Sequence, residues 1–154
     1  RRVRGYMINF VLLVNKIRKT RLIQWYDHTP ENQRQRVIAE VASQVVERQS
    51  KGCNVIEWRD KKLIFRRYAS LFFIFCVDLE DNELIMLEGI QYFVECLDKY
   101  FGNVCELDLI FNYPKAYHML DEIIVGGYFS ETSKKTVLKA AQAHDQLESG
   151  AEPK

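Results

Sequence analysis

The amino-acid sequence predicts an α+β fold: a five-stranded antiparallel sheet flanked by helices, in the order strand, strand, helix, three strands, two helices and a C-terminal helix. Three observations predict it. The apolar runs before residue 80 are short and rich in Val, Ile and Phe, as strands require. One amphipathic helical pattern interrupts them after the second run. Beyond residue 81 the apolar spacing changes from strand-like to the three-to-four spacing of helices. At 154 residues and 47% hydrophobic content, the chain can bury the core of a single domain.

Each element follows from its local pattern. The run "MINFVLLV" at residues 7–14 is almost wholly apolar and too short for a typical helix, which predicts a strand covered on both faces in mid-sheet. After the basic turn "NKIRK", the segment "TRLIQWY" at residues 20–26 gives a second strand, and the short connection makes the pair an antiparallel hairpin. Pro30 sits where a first-turn proline is tolerated, and Val37, Ile38, Val41, Val45 and Val46 define one face of a helix ending near Gln49. Gly52 breaks that helix. Three strands, "CNVIEW", "KLIFRRY" and "SLFFIFCV", form a meander with "RDK" as the first turn. Asp81 and Asn82 can cap the next helix, whose apolar face is Leu87, Ile90, Val94, Leu97 and Phe101. Gly102 and Asn103 end it. A further helical pattern through Leu107, Ile110, Phe111, Leu120 and Ile124 runs to Gly126 and Gly127, with Pro114 kinking it or starting a new helix. The first helix should cover one face of the sheet and the later helices the other. A final helix is expected in "SETSKKTVLKAAQAHDQLE", with residues 1–6 a flexible extension, 7–147 the domain and 148–154 a flexible tail.

Composition excludes several function classes. Lys plus Arg exceed Asp plus Glu by one, 22 against 21, so the bulk charge is not that of a nucleic-acid coat. No 18-residue uncharged run offers a membrane span. Cys53, Cys76, Cys96 and Cys105 lack CxxC spacing and read as reduced thiols of a cytosolic protein. His28, His118 and His144 lie in unlike contexts, and neither a GxSxG, a P-loop nor an HExxH motif occurs. Asp121 and Glu122 are adjacent on a helix, about 100° apart, and do not face each other as an acid and base pair. The expectation is a protein that is not an enzyme and needs no cofactor or metal.

The runs "TRLIQWY", "IFRRYASLFF", "DNELIMLEGIQYFVECLDKYFGNVCELDLIFN" and "LDEIIVGG" carry a resemblance. The chain resembles a longin-like (profilin-like) domain and, in detail, the sigma (small) chain of clathrin-associated adaptor complexes over residues 7–147. Within that family "EWRDKKLIFRRYASL", "NELIMLE" and "TSKKTVLKA" look most like the trans-Golgi and endosomal class, with the plasma-membrane class the other candidate. It departs from the family in carrying Arg18 where many members have Gly, and Pro114 after "FNY". The coatomer small chain and other longin trafficking scaffolds are the alternatives of similar architecture.

The resemblance implies a subunit of a heterotetramer with a gamma- or alpha-like large chain, a beta and a mu chain. Its partners would be cargo tails bearing acidic dileucine signals, a membrane reached peripherally through the complex, and clathrin indirectly. It would work in the cytoplasm at coated pits and vesicles of the trans-Golgi, endosomes or plasma membrane. Carried over by position, Ala69, Leu71, Val94, Asn103, Val104 and Leu109 would form the leucine sites, with Arg21 near the acidic residue. Read from the residues alone, the apolar members serve core packing equally well. Burying each leucine gives about 1.5–3 kcal/mol, part of which ordering the peptide consumes, so a single site should bind at roughly micromolar strength. Lys16, Arg18 and Lys19, with Arg21, concentrate charge at one hairpin, which fits either anionic lipid headgroups or a solvated turn. Arg66 and Arg67 should point to opposite faces of their strand, one laying its stem over apolar surface and pairing with an acid, on this chain or on a large partner.

Overall fold

The computed structural model describes residues 7–130 together with Ser133, Lys135, Thr136 and Lys139. A central sheet is built from β1 (Ile8–Asn15), β2 (Thr20–Trp25), β3 (Val55–Trp58), β4 (Lys61–Tyr68) and β5 (Leu71–Asp78). Its spatial order is β2-β1-β5-β4-β3, every pairing antiparallel. The two most apolar runs, β1 and β5, therefore lie side by side in the interior of the sheet, where both faces need covering.

Strand alternation sorts the core into two layers. Phe10, Leu12, Val14, Leu63, Phe65, Phe72 and Ile74 face α1 (Glu31–Arg48), which contributes Val37, Ile38, Val41, Ala42 and Val45. Val11, Leu13, Ile64, Leu71, Phe73, Phe75 and Val77 face the later helices. Ile8 joins that second layer although Phe10 lies in the first, because the register with β5 slips between them. A bulge at Asn9 absorbs the extra residue. Its carbonyl takes the N–H groups of Tyr26 and Asp27, and its amide donates to Asp78 Oδ1 at 3.2 Å.

Pro30 lies one position outside α1, at its N-cap, and a short 3₁₀ turn, Gln49–Lys51, carries the chain to Gly52, whose φ of 72° stops the helix. The next helix, α2 (Glu83–Phe101), is capped by Asn82, which accepts from the Ile85 N–H at 3.0 Å. Asp81 instead accepts from the Asp78 N–H and is buried. The face α2 buries is Ile85, Met86, Gly89, Ile90, Phe93, Val94 and Leu97, while Leu87 and Phe101 are only half-buried. The face is wider than the sequence reading and rotated from it, because Phe93 enters the layer and stands edge-on to Phe73.

Pro114 starts a helix rather than kinking one. A short α3 (Glu106–Phe111) stops at Asn112, and α4 (Tyr113–Ile123) begins with Pro114 in its first turn. The expectation of a helix continuing through Ile124 is corrected. Ile124 is extended, and β6 (Ile124–Val125) and β7 (Tyr128–Phe129) form a small hairpin around Gly126 and Gly127. Their φ values of 60° and 93° are both positive, the requirement of a two-residue turn whose twist matches the flanking strands. The hairpin is docked on the start of β1: Ile8 N–H donates to the Gly127 carbonyl, and Met7 bridges to Tyr128. Ser133, Lys135, Thr136 and Lys139 are helical; the rest of the expected final helix, the extension 1–6 and the tail 148–154 lie outside the described residues.

Candidate functional site

One end of the sheet gathers the residues singled out in the sequence. Register places the β1–β2 turn beside the β4–β5 turn, since Asn15 pairs with Leu71 and Tyr68 also pairs with Leu71 across β4 and β5. The C-terminus of α2 and all of α3 reach the same end. The Tyr68 hydroxyl donates to Asp98 Oδ2 at 2.6 Å, and Asp98 Oδ1 accepts the Val104 N–H at 2.8 Å, so one carboxylate ties β4 to the α2–α3 junction. The hydrogen bond to the Asp98 carboxylate, with a smaller contribution from desolvation, disfavours the Tyr68 phenolate and keeps the hydroxyl a donor.

Leu71, Val94, Val104 and Leu109 meet in one apolar cluster and are buried, Leu71 completely and Val94 to within 1%. Ala69 and Asn103 sit at the rim, exposed, with φ values of 55° and 70°. Both are turn positions in the left-handed region, one between β4 and β5 and the other just past α2. The seven residues thus share one end of the molecule. The four apolar ones are packed as interior, covered by the elements around them.

Arg21 is not free. Its Nε donates to Glu106 Oε2 at 3.2 Å, and Asn15 Nδ2 donates to the same oxygen at 3.0 Å. The hydrogen bond from Asn15, reinforced by Arg21, holds the Glu106 carboxyl below the usual carboxylate range. Glu106 opens α3 one turn before Leu109, and its acidic charge there is favoured by the helix N-terminus. Sequence reasoning missed Glu106 and Asn15, because the contacts span 85 and 91 residues and no local spacing signals them. It also missed Tyr117. That hydroxyl both donates to the Ile23 carbonyl and accepts its N–H, closing the outer edge of β2.

The two arginines of β4 divide as expected. Arg67 shares the α1-side face with Phe65 and lays its guanidinium over Phe72, 5.8 Å from the ring centroid, with Nε donating to the Ala69 carbonyl. Arg66 shares the other face with Ile64 and Tyr68. Both are exposed, and among the described residues neither is ion-paired. Around the same corner, α3 and the start of α4 turn Leu107, Ile110, Phe111 and Tyr113 outward, Phe111 to 75%. A separate hollow of about 420 Å³ lies between α2, α4 and the chain after β7, lined by Tyr92, Cys96, Met119, Ile123 and Ser130 among others; none of the seven residues lines it. All four cysteines are free.

The profile of the clathrin adaptor complex small chain matches residues 7–148. The chain belongs to that family. It is 53% identical to the AP-1 complex subunit sigma-2 of Dictyostelium discoideum over 92% of both chains. It is 49% identical to the human AP-1 complex subunit sigma-1A, over 92% of this chain and 90% of that one. In three dimensions it is similar, with a TM-score of 0.67 and 29% identity, to a chain in a homology model of the full-length AP-3 complex in a stretched open conformation. That match covers 95% of this chain and all of the other. This adaptor small chain thus has the fold and the family that "IFRRYASLFF" and "KYFGNVCELDLIFN" pointed to, a family of complex subunits rather than of enzymes. No helix among its described residues is long and apolar enough to cross a membrane.

Proposed function

We propose that this small chain is the sigma subunit of an AP-1-like heterotetramer, in which it stabilises the trunk against a large chain and helps bind acidic dileucine signals on cargo tails at coated membranes. Assembly is supported by the outward Leu107, Ile110, Phe111 and Tyr113, a contiguous apolar corner of the kind that a subunit covers with its partner. The beta and mu chains and, indirectly, clathrin complete the assembly.

One observation carries the cargo reading. Arg21, the residue assigned to the acidic position of the signal, already holds a carboxylate, and that carboxylate belongs to α3, the element that also supplies Leu109 to the buried cluster. An acidic side chain of the cargo would replace Glu106 on Arg21 as its leucines enter between Leu71, Val94, Val104 and Leu109. Ala69 and Asn103 would border the entry. The self-contact keeps the site closed without cargo, at a cost small enough for a peptide to offset: a partly exposed ion pair is worth about 0.2–1 kcal/mol.

Two substitutions test this in a trunk assembled with its large chain. Arg21→Ser removes a partly exposed charged contact worth about 0.2–1 kcal/mol, so it should weaken an acidic dileucine peptide by up to about fivefold while leaving a neutral dileucine peptide within about twofold. Glu106→Gln removes the internal competitor and should tighten the acidic peptide severalfold. Peptide titration by fluorescence anisotropy reads both. A Glu106→Gln complex that binds acidic peptides more weakly than the parent contradicts the displacement.

A further inference from the structure

We propose that the β1–β2 hairpin tip is a direct contact for an anionic membrane surface, with Ile17 entering the headgroup region and Lys16, Arg18 and Lys19 binding lipid phosphates. The observation behind it is an apolar side chain standing alone among cations. Ile17 is 73% exposed, and Lys16, Arg18 and Lys19 on either side of it are exposed too. The tip is rigid rather than frayed. Asn15 Oδ1 accepts the N–H groups of Ile17 and Lys19 at 3.0 and 2.9 Å, Arg18 N–H donates to the Asn15 carbonyl, and Asn15 itself is buried and tied to α3 through Glu106. Arg18 takes a φ of 67°, the left-handed geometry usually left to glycine. The turn thus holds a bulky cation in a strained position, with the side chain turned to solvent.

The acids at this end point elsewhere: Glu106 is taken up by Asn15 and Arg21, Asp98 accepts from Tyr68 and the Val104 N–H, and Asp108 accepts from the Cys105 N–H at the start of α3. Among the described residues Lys16, Arg18 and Lys19 have no ion-pair partner, and register brings Arg66 and Arg67 of the neighbouring turn to the same end. A chain with a net charge of only +1 therefore presents three exposed cations, Lys16, Arg18 and Lys19, at one hairpin tip. Complementarity selects a polyanion, and Ile17 selects among polyanions: a soluble phosphate or a nucleic-acid backbone gains nothing from an exposed isoleucine, whereas a bilayer interface accepts the apolar side chain and the phosphates accept the cations.

This goes beyond the cargo reading and does not depend on it, so the test omits cargo peptide. The complex assembled with its large chain is floated with vesicles of phosphatidylcholine alone or with 20% phosphatidylserine and a phosphoinositide. The variants are Ile17→Ser, the triple Lys16→Ala, Arg18→Ala, Lys19→Ala, and the control Arg36→Ala on the exposed face of α1. Each membrane-facing cation is worth about fivefold, so the triple variant should lose on the order of a hundredfold in binding to anionic vesicles, measured where the other subunits do not saturate. Ile17→Ser should lose several-fold on vesicles and nothing on a soluble inositol phosphate, and Arg36→Ala should match the parent. Parental vesicle binding by either hairpin variant overturns the proposal. So does an Ile17→Ser loss that is equal for vesicles and soluble inositol phosphate, which would assign the tip to a free ligand.

Discussion

Val94→Asp is expected to lower the melting temperature of the assembled chain by about 10 °C or more and to cut the yield of complex before any peptide is added. Val94 is 1% exposed and packs in the cluster that also holds Leu71, Val104 and Leu109. An aspartate there either carries an unpaired charge out of water or stays protonated at neutral pH, and both routes cost several kcal/mol. At about 2–4 °C per kcal/mol for a chain of this size, the melting shift is large and is read by thermal denaturation of the complex. Loss of dileucine binding in this variant bears on the site only when the complex still assembles. Arg21, half-buried at the surface, has no such coupling. A melting temperature within 2 °C of the parent would mean that the cluster around Val94 is looser than its burial indicates.

Gly89→Ala should also destabilise, against the usual preference of helix interiors. Replacing a mid-helix Gly by Ala ordinarily gains about 1 kcal/mol. Here a Cβ would lie 2.4 Å from Cζ of Phe129 and 2.8 Å from its Cε1, so the ring has to leave its seat on α2. Unseating a buried aromatic side chain forfeits about 1.5–3 kcal/mol, which outweighs the gain in propensity. The expected outcome is a net loss of roughly 0.5–2 kcal/mol and faster amide exchange at Ile8, whose N–H is held by the Gly127 carbonyl of the same hairpin. Pairing the substitution with Phe129→Ala should make the Gly89→Ala step neutral or favourable. Additive losses in that double variant would remove Phe129 as the cause.

The two sequence patterns that were legible are those in which each residue's environment is set by its own element. Unbroken apolar runs in β1 and β5 announce strands covered on two faces, three-to-four apolar spacing announces α1 and α2, and the bulge at Asn9 shifts one residue without disturbing the rest. The β6–β7 hairpin was hidden because Ile124 falls on the helical period of Leu120, while its strands are two residues long and carry no alternation of their own. Gly126 and Gly127 are the available signal, but after a helical pattern adjacent glycines mark a helix stop as readily as a turn. At the proposed site, Leu71, Val94, Val104 and Leu109 fall in one buried cluster because each is the inward residue of its element. Glu106 was invisible for the opposite reason: a carboxylate at a helix start reads as a favourable N-terminal charge, and only the fold brings Arg21 and Asn15 to it.

The proposed leucine site lies at the corner of β5, α2 and α3, over a cluster flanked by the pairing of Arg21 with Glu106. Its most direct measurement is calorimetric titration of the assembled complex with an acidic dileucine peptide and with the same peptide carrying two alanines. The account predicts saturable binding at roughly micromolar strength for the first and none measurable for the second. Equal affinity for the two peptides, in a complex shown to be intact by its melting temperature, would contradict it.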